Sequence, residues 1–322
     1  MRVSVIVPVY GVETYIVRCA KSLLGQTCKD YELIFVDDAS PDRSVALLES
    51  VLADCPQPVT ILHHPQNRGL AAARKTGLAA AKGDYIVSVD SDDYLEPDAL
   101  QLLLEQADRT GADIIGMDCY FEWNDRRSVY HGAWTADAGQ YACYLLSGRT
   151  LPGVCLHMIS RRLYTETGLQ PVEGLNYGED YVLTPRLCWY AGRVAHVEKP
   201  LYHYIQTNEG SIVHRVSETH IRQLRQAVET LTDFFADKPD CASALRAGQW
   251  LKKTDVFMRA ARSQYALADT IPAALPVNKT TMTAAQSVAA ALIARRWWSA
   301  LWCYCRCFEG LLEMVQILKG RR

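Results

Sequence analysis

Four short runs of the chain hold residue types at spacings that suit chemistry. The first is Val89-Asp90-Ser91-Asp92-Asp93. Asp90 and Asp92, one residue apart around Ser91, can chelate a hard divalent cation. Mg²⁺ or Mn²⁺ accepts few protein carboxylates and fills its shell with water and phosphate oxygens. The plain alternative is an acidic helix start that stabilises the dipole of the next helix. The second run is Val36-Asp37-Asp38-Ala39-Ser40. A carboxylate there can accept hydrogen bonds from a nucleobase imide or a ribose hydroxyl; equally, Asp38 or Ser40 can cap a helix starting near Asp42. The third is Asn67-Arg68-Gly69-Leu70-Ala71-Ala72-Ala73-Arg74. Small alanines permit close packing around Arg74, which can neutralise a diphosphate, hold the acidic cluster, or simply be a solvated helix charge. The fourth is Tyr177-Gly178-Glu179-Asp180-Tyr181. It can set a carboxylate at a reacting hydroxyl as general base, or be an acidic first turn of a helix.

Other chemistries lack their residues. No Gly-x-Gly-x-x-Gly follows the first apolar run, and no Gly-x-x-x-x-Gly-Lys-[Ser/Thr] occurs. Gly-x-Ser-x-Gly and His-Glu-x-x-His are missing as well. A dinucleotide fold, a P-loop, a hydrolase elbow and a zincin helix are therefore unsupported.

The elements that must position the four runs are legible from periodicity. Strands are expected over Val3–Val9, Tyr31–Val36, Val59–Leu62, Tyr85–Val89 and Ile114–Met117. Helical patterns fill the intervals: Glu13–Leu24, Asp42–Leu52, Gly69–Ala81, and a helix entered near Pro97 that runs to about Asp108. Pro97 suits a first helical turn. Such alternation implies an α/β fold with a mostly parallel sheet and helices on both faces. Ligands of such sheets bind outside the carboxyl ends of the strands. Pro8-Val9-Tyr10, Asp37-Asp38 and the acids at 90–93 all fall at such ends. Residues 120–216 are mixed, with turns at Leu151-Pro152-Gly153 and Lys199-Pro200. Beyond 217 the pattern is helical over Ile221–Phe235, Ala242–Tyr265 and Ala284–Leu318, with Thr270–Thr283 as the expected linker.

Composition narrows the class further. The 322 residues are 49% hydrophobic and 22% charged, which excludes a disordered or collagen-like chain. The length suits two domains, or one with an appendage. A net charge of −2 argues against a nucleic-acid binder. The charge divides unevenly: residues 217–322 hold 15 Lys+Arg against 9 Asp+Glu, leaving 19 against 27 in residues 1–216. The 11 cysteines are scattered without zinc or disulfide spacing, as in reduced cytosolic chains. No basic leader and no apolar run of spanning length occur, so neither a secretory signal nor a spanning helix is expected.

Taken in order, these motifs resemble the family 2 glycosyltransferases, the GT-A group that builds bacterial surface polysaccharides. The pieces are Val3-Ser-Val-Ile-Val-Pro-Val-Tyr10, Ser22-Leu-Leu-Gly-Gln-Thr27, Tyr31-Glu-Leu-Ile-Phe-Val-Asp-Asp-Ala-Ser-Pro-Asp42, Asn67–Arg74, Gly83–Asp93 and Gly178-Glu-Asp180. One such motif is weak; several in order are specific. The resemblance covers about residues 1–216 and implies a Rossmann-like GT-A catalytic domain there, followed by a helical C-terminal region at 217–322. Pro8, Val9 and Tyr10 match a loop along the nucleotide. Asp38 matches the carboxylate at the uracil ring. Asn67 and Arg74 match donor-side positions near base and diphosphate. Asp90 and Asp92 flank Ser91 as the D-x-D pair, with Asp92 the expected metal contact and Asp90 nearer the ribose or sugar. Asp180 matches the catalytic base, and Glu179 a neighbour that orients substrate.

One departure stands out. The family often has Tyr-Tyr-Arg and then a serine near the end of the catalytic domain, whereas this chain has Leu201-Tyr-His-Tyr-Ile-Gln-Thr-Asn-Glu-Gly-Ser211. Ile205 stands where the diphosphate-binding arginine would be. His203 or His214 is a candidate substitute, although a packed or solvated histidine is the plainer expectation. Gln206–Val216 is polar enough to be a lid over the donor.

The resemblance implies an inverting transfer from a nucleotide-sugar, expected to be a UDP-sugar, to a hydroxyl of a glycan or lipid-linked acceptor. A divalent cation, Mn²⁺ or Mg²⁺, is the implied cofactor. A single in-line displacement needs one base, and no separate nucleophile is evident. Competing readings are a nucleotide-sugar-binding scaffold and a sugar nucleotidyltransferase; Pro8-Val-Tyr-Gly-Val stands where the latter needs a basic Gly-rich loop. The aromatic, basic run Arg295-Arg-Trp-Trp-Ser-Ala-Leu-Trp-Cys-Tyr-Cys-Arg-Cys-Phe308, extended by Lys319, Arg321 and Arg322, suits an interfacial membrane helix or a packed or dimer-forming one. Cys303 and Cys307 share a helical face without Cys305, which argues against a metal site. The expected location is the cytoplasm or the cytoplasmic face of the membrane.

Overall fold

All seven residues of the first strand, β1 (Val3–Val9), are buried. A strand covered on both faces is rich in β-branched residues, and five of these seven are Val or Ile. In the computed structural model the described residues are 1–322 except 54, 209–215, 278, 280 and 320–322; side chains are described up to residue 308. After β1 come α1 (Ile16–Leu24), β2 (Tyr31–Asp37), α2 (Ser44–Leu52), β3 (Val59–His63), α3 (Leu70–Ala80) and β4 (Tyr85–Ser88). Then follow β5 (Tyr94–Leu95), α4 (Ala99–Thr110), β6 (Ile114–Glu122), β7 (Arg127–Tyr130) and α5 (Ala138–Ser147). A 3-10 turn leads to β8 (His157–Ser160), α6 (Arg161–Thr167), α7 (Glu179–Tyr190) and β9 (Val194–Ile205).

The sheet order is β3-β2-β1-β4-β8-β6-β9-β5, with β7 paired to β6. The strands β1 to β4 pair parallel, and β6 pairs parallel with β9. Between them β8 runs antiparallel to both β4 and β6. It therefore restores the common direction, and only β5, β7 and β8 oppose the rest. The expected mostly parallel sheet is present, with an antiparallel insertion that the mixed 120–216 stretch did not reveal.

Alternate residues feed opposite faces, as a two-residue period requires. Val3, Val5, Val7, Val9, Leu33 and Phe35 join α1, α2 and α4 in one core. Ile6, Ile34, Val36, Ile86 and Ile114 join α3, α5, α6 and α7 in the other. Each fully buried aliphatic side chain contributes roughly 1.5–3 kcal/mol. The same carboxyl edge of the sheet thus carries the ends of β1, β2, β4, β6 and β9.

The chain divides into two compact units, 1–145 with 149–214, and 146–148 with 215–322. The second is helical: α8 (Glu218–Phe234), α9 (Ala242–Arg259), α10 (Tyr265–Ala268), α11 (Ala284–Ala294) and α12 (Trp298–Lys319). Ser217 caps α8 through the His220 N–H, and Thr283 caps α11 through that of Gln286. Two expected helices are broken. The Ala242–Tyr265 pattern stops at Arg259, because the Gln264 side chain takes the Ala261 N–H and starts a new turn. The Ala284–Leu318 pattern stops at Ala294; Arg296 turns left-handed at φ 55°, and Trp298 stacks on Phe257 with centroids 5.2 Å apart. Trp298 is therefore packed, while Trp297 and Trp302 are exposed. Cys303 and Cys307 are exposed and Cys305 is buried, as the helical face requires. Lys319, Arg321 and Arg322 lie outside the described residues or side chains. No helix among the described residues is long and apolar enough to cross a membrane.

Candidate active site

Arg74 sits one and a half turns into α3 and is 4% exposed. One terminal nitrogen donates to Glu179 Oε1 and to Asp180 Oδ1, both at 2.9 Å. The other donates to Asp90 Oδ1 at 2.7 Å. One guanidinium thus gathers the third, first and fourth sequence runs at one point. Charge-assisted bonds of this kind are short and strong. Burial works against the Arg74 charge, but Asp90, Asp180 and Glu179 outweigh it and hold it protonated. Asp180 is pushed up by burial and by Asp90, with Arg74 pulling it back. Burial and the Asp180 charge push Glu179 up to about 8.

Local chemistry explains how α3 and α7 meet. Gly69 precedes α3 at φ 88°, a conformation that favours glycine, and a Cβ there would strike the Asn176 side chain. Asn176 Oδ1 accepts from Ala71 N–H at 3.1 Å, and Arg68 pairs with Glu173 at 3.0 Å. These contacts join the start of α3 to the segment before α7. Gly178, at φ 90°, then turns the chain so that Glu179 and Asp180 open α7.

The 151–155 loop closes the other side of Asp180. Gly153 lies so near that a Cβ on it would stand 3.9 Å from Asp180 Oδ2. Thr184 Oγ1 donates to Pro152 O at 2.7 Å, and His157 Nδ1 donates to Gly153 O at 2.8 Å. Burial pushes His157 down to about 4, so the ring is neutral and its Nε2 accepts from the Tyr141 hydroxyl at 2.8 Å. The Cys155 thiol is pushed up by burial and then by Asp90 and Asp180, so it is an un-ionised wall of the site.

The D-x-D loop is fixed from β9. Asp93 is fully buried, with Oδ1 accepting from Ile205 N–H at 2.8 Å and Oδ2 from the Tyr202 hydroxyl at 2.7 Å. The Tyr202 oxygen in turn accepts from Asp90 N–H at 3.2 Å. Asp92 Oδ2 accepts from Asn208 Nδ2 at 2.8 Å, and its carbonyl from Arg18 at 2.9 Å. Burial and the neighbouring Asp90 charge push the Asp92 carboxyl up. Ser91 is buried between the two acids.

The remaining expected residues are spread along the same edge. Pro8 and Val9 end β1 and are buried, whereas Tyr10 is 49% exposed. Asp38 is 2% exposed, and three protein donors face its carboxylate. Oδ1 faces the Arg68 N–H at 2.8 Å and His64 Nδ1 at 2.6 Å, and Oδ2 the Gly69 N–H at 2.7 Å. Asn67 is exposed in the same loop. Ile205 has a buried side chain. His203 is packed: its ring stacks on Tyr94 at 4.0 Å, and its nitrogens face Glu122 and Glu96 at 2.7 and 3.0 Å. Both of its ring nitrogens are thus engaged within the protein. His214 and most of the expected lid Gln206–Val216 lie outside the described residues.

Sequence reasoning missed Asn176, Tyr202, Asn208 and Arg18. Tyr202 carried a signal, since it alternates with Leu201 and His203 on a strand opposite the acids. Arg18 comes from helix α1 and the two asparagines from distant loops, and these carried none.

The arrangement can hold a polyanion near a cation-binding pair and take a proton at Asp180. A divalent ion fits the residues present. Asp92 and Asp90 raise each other's electrostatic cost, which a cation relieves, and Mg²⁺-type ions use one or two carboxylates beside substrate phosphates. No larger group of metal-type side chains occurs among the described residues.

Comparison with known proteins adds to this geometry. Residues 4–164 match the model of glycosyl transferase family 2. A Bacillus subtilis (strain 168) protein, "Uncharacterized glycosyltransferase EpsJ", is 34% identical over 63% of this chain and 60% of its own. The succinoglycan biosynthesis protein ExoO of Rhizobium meliloti (strain 1021) is 31% identical over 73% of this chain and 69% of its own. An Escherichia coli chondroitin synthase is 28% identical over 71% of this chain but only 33% of its own length. The match thus spans about 60% of the first relative and a third of the last. The crystal structure of S. aureus TarS 1-349 in complex with UDP-GlcNAc superposes with a TM-score of 0.71 at 17% identity, covering 96% of this chain and 92% of that one. That likeness fixes the architecture as GT-A with a helical C-terminal region.

Proposed function

Because the chain belongs to glycosyl transferase family 2, we propose that it moves a sugar from a nucleotide-sugar to an acceptor hydroxyl, with inversion, in surface-polysaccharide synthesis. The observation that carries this reading is the Arg74 centre, which binds Asp90, Glu179 and Asp180 together at the carboxyl edge of the sheet. A UDP-sugar is the proposed donor, and the UDP-GlcNAc named in the TarS complex supports that class.

Asp180 takes the proton of the acceptor hydroxyl as that oxygen attacks the anomeric carbon from the face opposite the leaving diphosphate. Arg74 orients the accepting carboxylate. Glu179, protonated over much of the neutral range, can donate a hydrogen bond to substrate. Pro8, Val9 and Tyr10 lie along the nucleotide, with Asp38 and Asn67 nearer its base. Asp92 and Asp90 are the residues that would hold Mn²⁺ or Mg²⁺, whose chemistry there is Lewis-acid neutralisation of a diphosphate. In this reading residues 1–216 are the catalytic domain. The helical 217–322 region meets a membrane or a second copy, supported by Arg295 over Trp297 and Arg306 over Trp302. The reaction is placed on the cytoplasmic side, where nucleotide-sugar donors are used.

The test is UDP release from a panel of UDP-sugars, with and without Mn²⁺, by wild type and Asp92→Ala. Slow metal-dependent hydrolysis of one donor, lost in Asp92→Ala, is expected. No release from any donor under any condition contradicts the reading. The anomeric configuration of the transferred sugar, read by NMR, decides inversion.

A further inference from the structure

At the carboxyl end of β6 the alternation that builds the core continues beyond it. Phe121 follows Cys119 on the same face, and Trp123 follows Phe121. Tyr204 stands opposite Phe121 on β9, with ring centroids 5.6 Å apart. Tyr130 meets the Phe121 edge at 5.8 Å, and Trp123 lies 6.3 Å from Phe121. All four rings are half-buried, so each keeps surface toward solvent. A contiguous aromatic cluster left open beside a site is informative in a way that one exposed apolar residue is not.

Two connections join this cluster to the reacting groups. Tyr204 directly precedes Ile205, whose N–H donates to Asp93 Oδ1 at 2.8 Å in the D-x-D loop. The Tyr130 oxygen accepts from Leu151 N–H at 3.0 Å, in the loop whose Gly153 lies beside Asp180, a Cβ on it falling 3.9 Å from Asp180 Oδ2.

We propose that Tyr204, Phe121, Tyr130 and Trp123 form a ledge on which the terminal sugar ring of a glycan acceptor stacks, offering a hydroxyl to Asp180. A pyranose has one face of polarised C–H bonds and a rim of hydroxyls. The negative face of an aromatic ring attracts the former, and the polar rim here suits the latter. Arg126 lies 4.5 Å over Trp123. Asn124 and Asp125 fill the exposed turn between them. A lipid chain would leave those polar groups without partners, whereas a sugar hydroxyl can bond to them. The inference rests on the transferase reading above and adds the acceptor class.

The test is saturation-transfer NMR with methyl glycosides of glucose, galactose and N-acetylglucosamine, in the presence of UDP and Mn²⁺. At least one glycoside is expected to receive saturation at its ring C–H protons. Its affinity falls ~3- to 10-fold in Trp123→Ala and in Phe121→Ala. The UDP signal is unchanged, and Trp123→Phe retains most of the binding. Circular dichroism checks that each variant folds, and Trp123→Phe stands in for one that does not. Saturation of UDP but of no glycoside overturns the ledge, as does glycoside binding that both alanine variants leave intact. Glycoside binding through Trp123 without any UDP binding keeps the ledge and overturns the donor reading. Binding of neither overturns both.

Discussion

Two charged centres lie on the same edge of the sheet, one closed off and one partly open to solvent, and they are differently balanced. At Arg74 one cation meets three carboxylates, with Asp92 and Asp93 close by. At Asp38 one carboxylate meets two backbone N–H groups and a histidine ring, which in turn faces Thr76 Oγ1 at 2.8 Å. The second centre is self-sufficient, and it locks the 64–69 loop that leads into α3. The first carries more negative charge than its own cation neutralises. Burying such an excess is costly unless a proton, a cation or a ligand completes it. The difference is one of balance: at Asp38 the protein's own donors fix the edge beside the proposed nucleotide site, and at Arg74 the excess negative charge calls for a further partner.

The largest effect is expected from removing the one cation of the unbalanced centre. Arg74→Met leaves buried carboxylates uncompensated and should cost about 3–5 kcal/mol in urea unfolding. It should also move the pH dependence of turnover upward, because Arg74 is what pulls Asp180 and Glu179 down. A variant as stable as wild type would show that the cluster is not held by Arg74. Asp38→Asn should cost less, about 1–3 kcal/mol, because it leaves a buried donor facing a donor. If instead it matched Arg74→Met, the two centres would not differ in kind.

A smaller effect is expected from pH alone, and its sign distinguishes the centres from ordinary surface acids. Glu179 has its carboxyl raised to about 8 from 4.5, so its contribution is full below its unfolded value and is lost as pH rises through about 8. Asp42 is the reverse: burial pushes it up, but bonds from Ser44, Glu13 and Ser40 bring it down to about 2 from 3.8. Its contribution is present above the unfolded value and is lost as pH falls through about 2. Unfolding of the metal-free protein should therefore become easier between about pH 5 and about pH 8. Glu179→Gln should flatten that slope, and a slope that survives it would move the excess charge elsewhere.

The first half of the sheet was legible because each strand from β1 to β4 is a short, largely apolar run rich in β-forming residues. Period and turn chemistry are local, so they survive without tertiary context. The four acidic and basic runs were legible for the same reason, and their order carried the family resemblance. What was not legible is long-range. Nothing local in His157–Ser160 says that it enters antiparallel between β4 and β6, since that depends on which edges remain unpaired. Arg74 had three readings in the sequence, and only contacts 16 to 106 residues distant show its carboxylate bonds. The helix break at Arg295–Trp297 was hidden by an unbroken run of helix formers, because the stacking of Trp298 on Phe257 overrides propensity.

The most direct measurement is a pair of numbers on one variant, Asp180→Asn. If the unbalanced centre is the reacting centre, acceptor transfer should fall ~10²- to 10⁴-fold. Urea stability near pH 8 should stay level or rise by about 1 kcal/mol, since one repelling charge is gone. Transfer at the wild-type rate would contradict the assignment of Asp180 as base, whatever the stability. A loss of stability matching the loss of transfer would make Asp180 a structural residue and place the chemistry elsewhere on the edge.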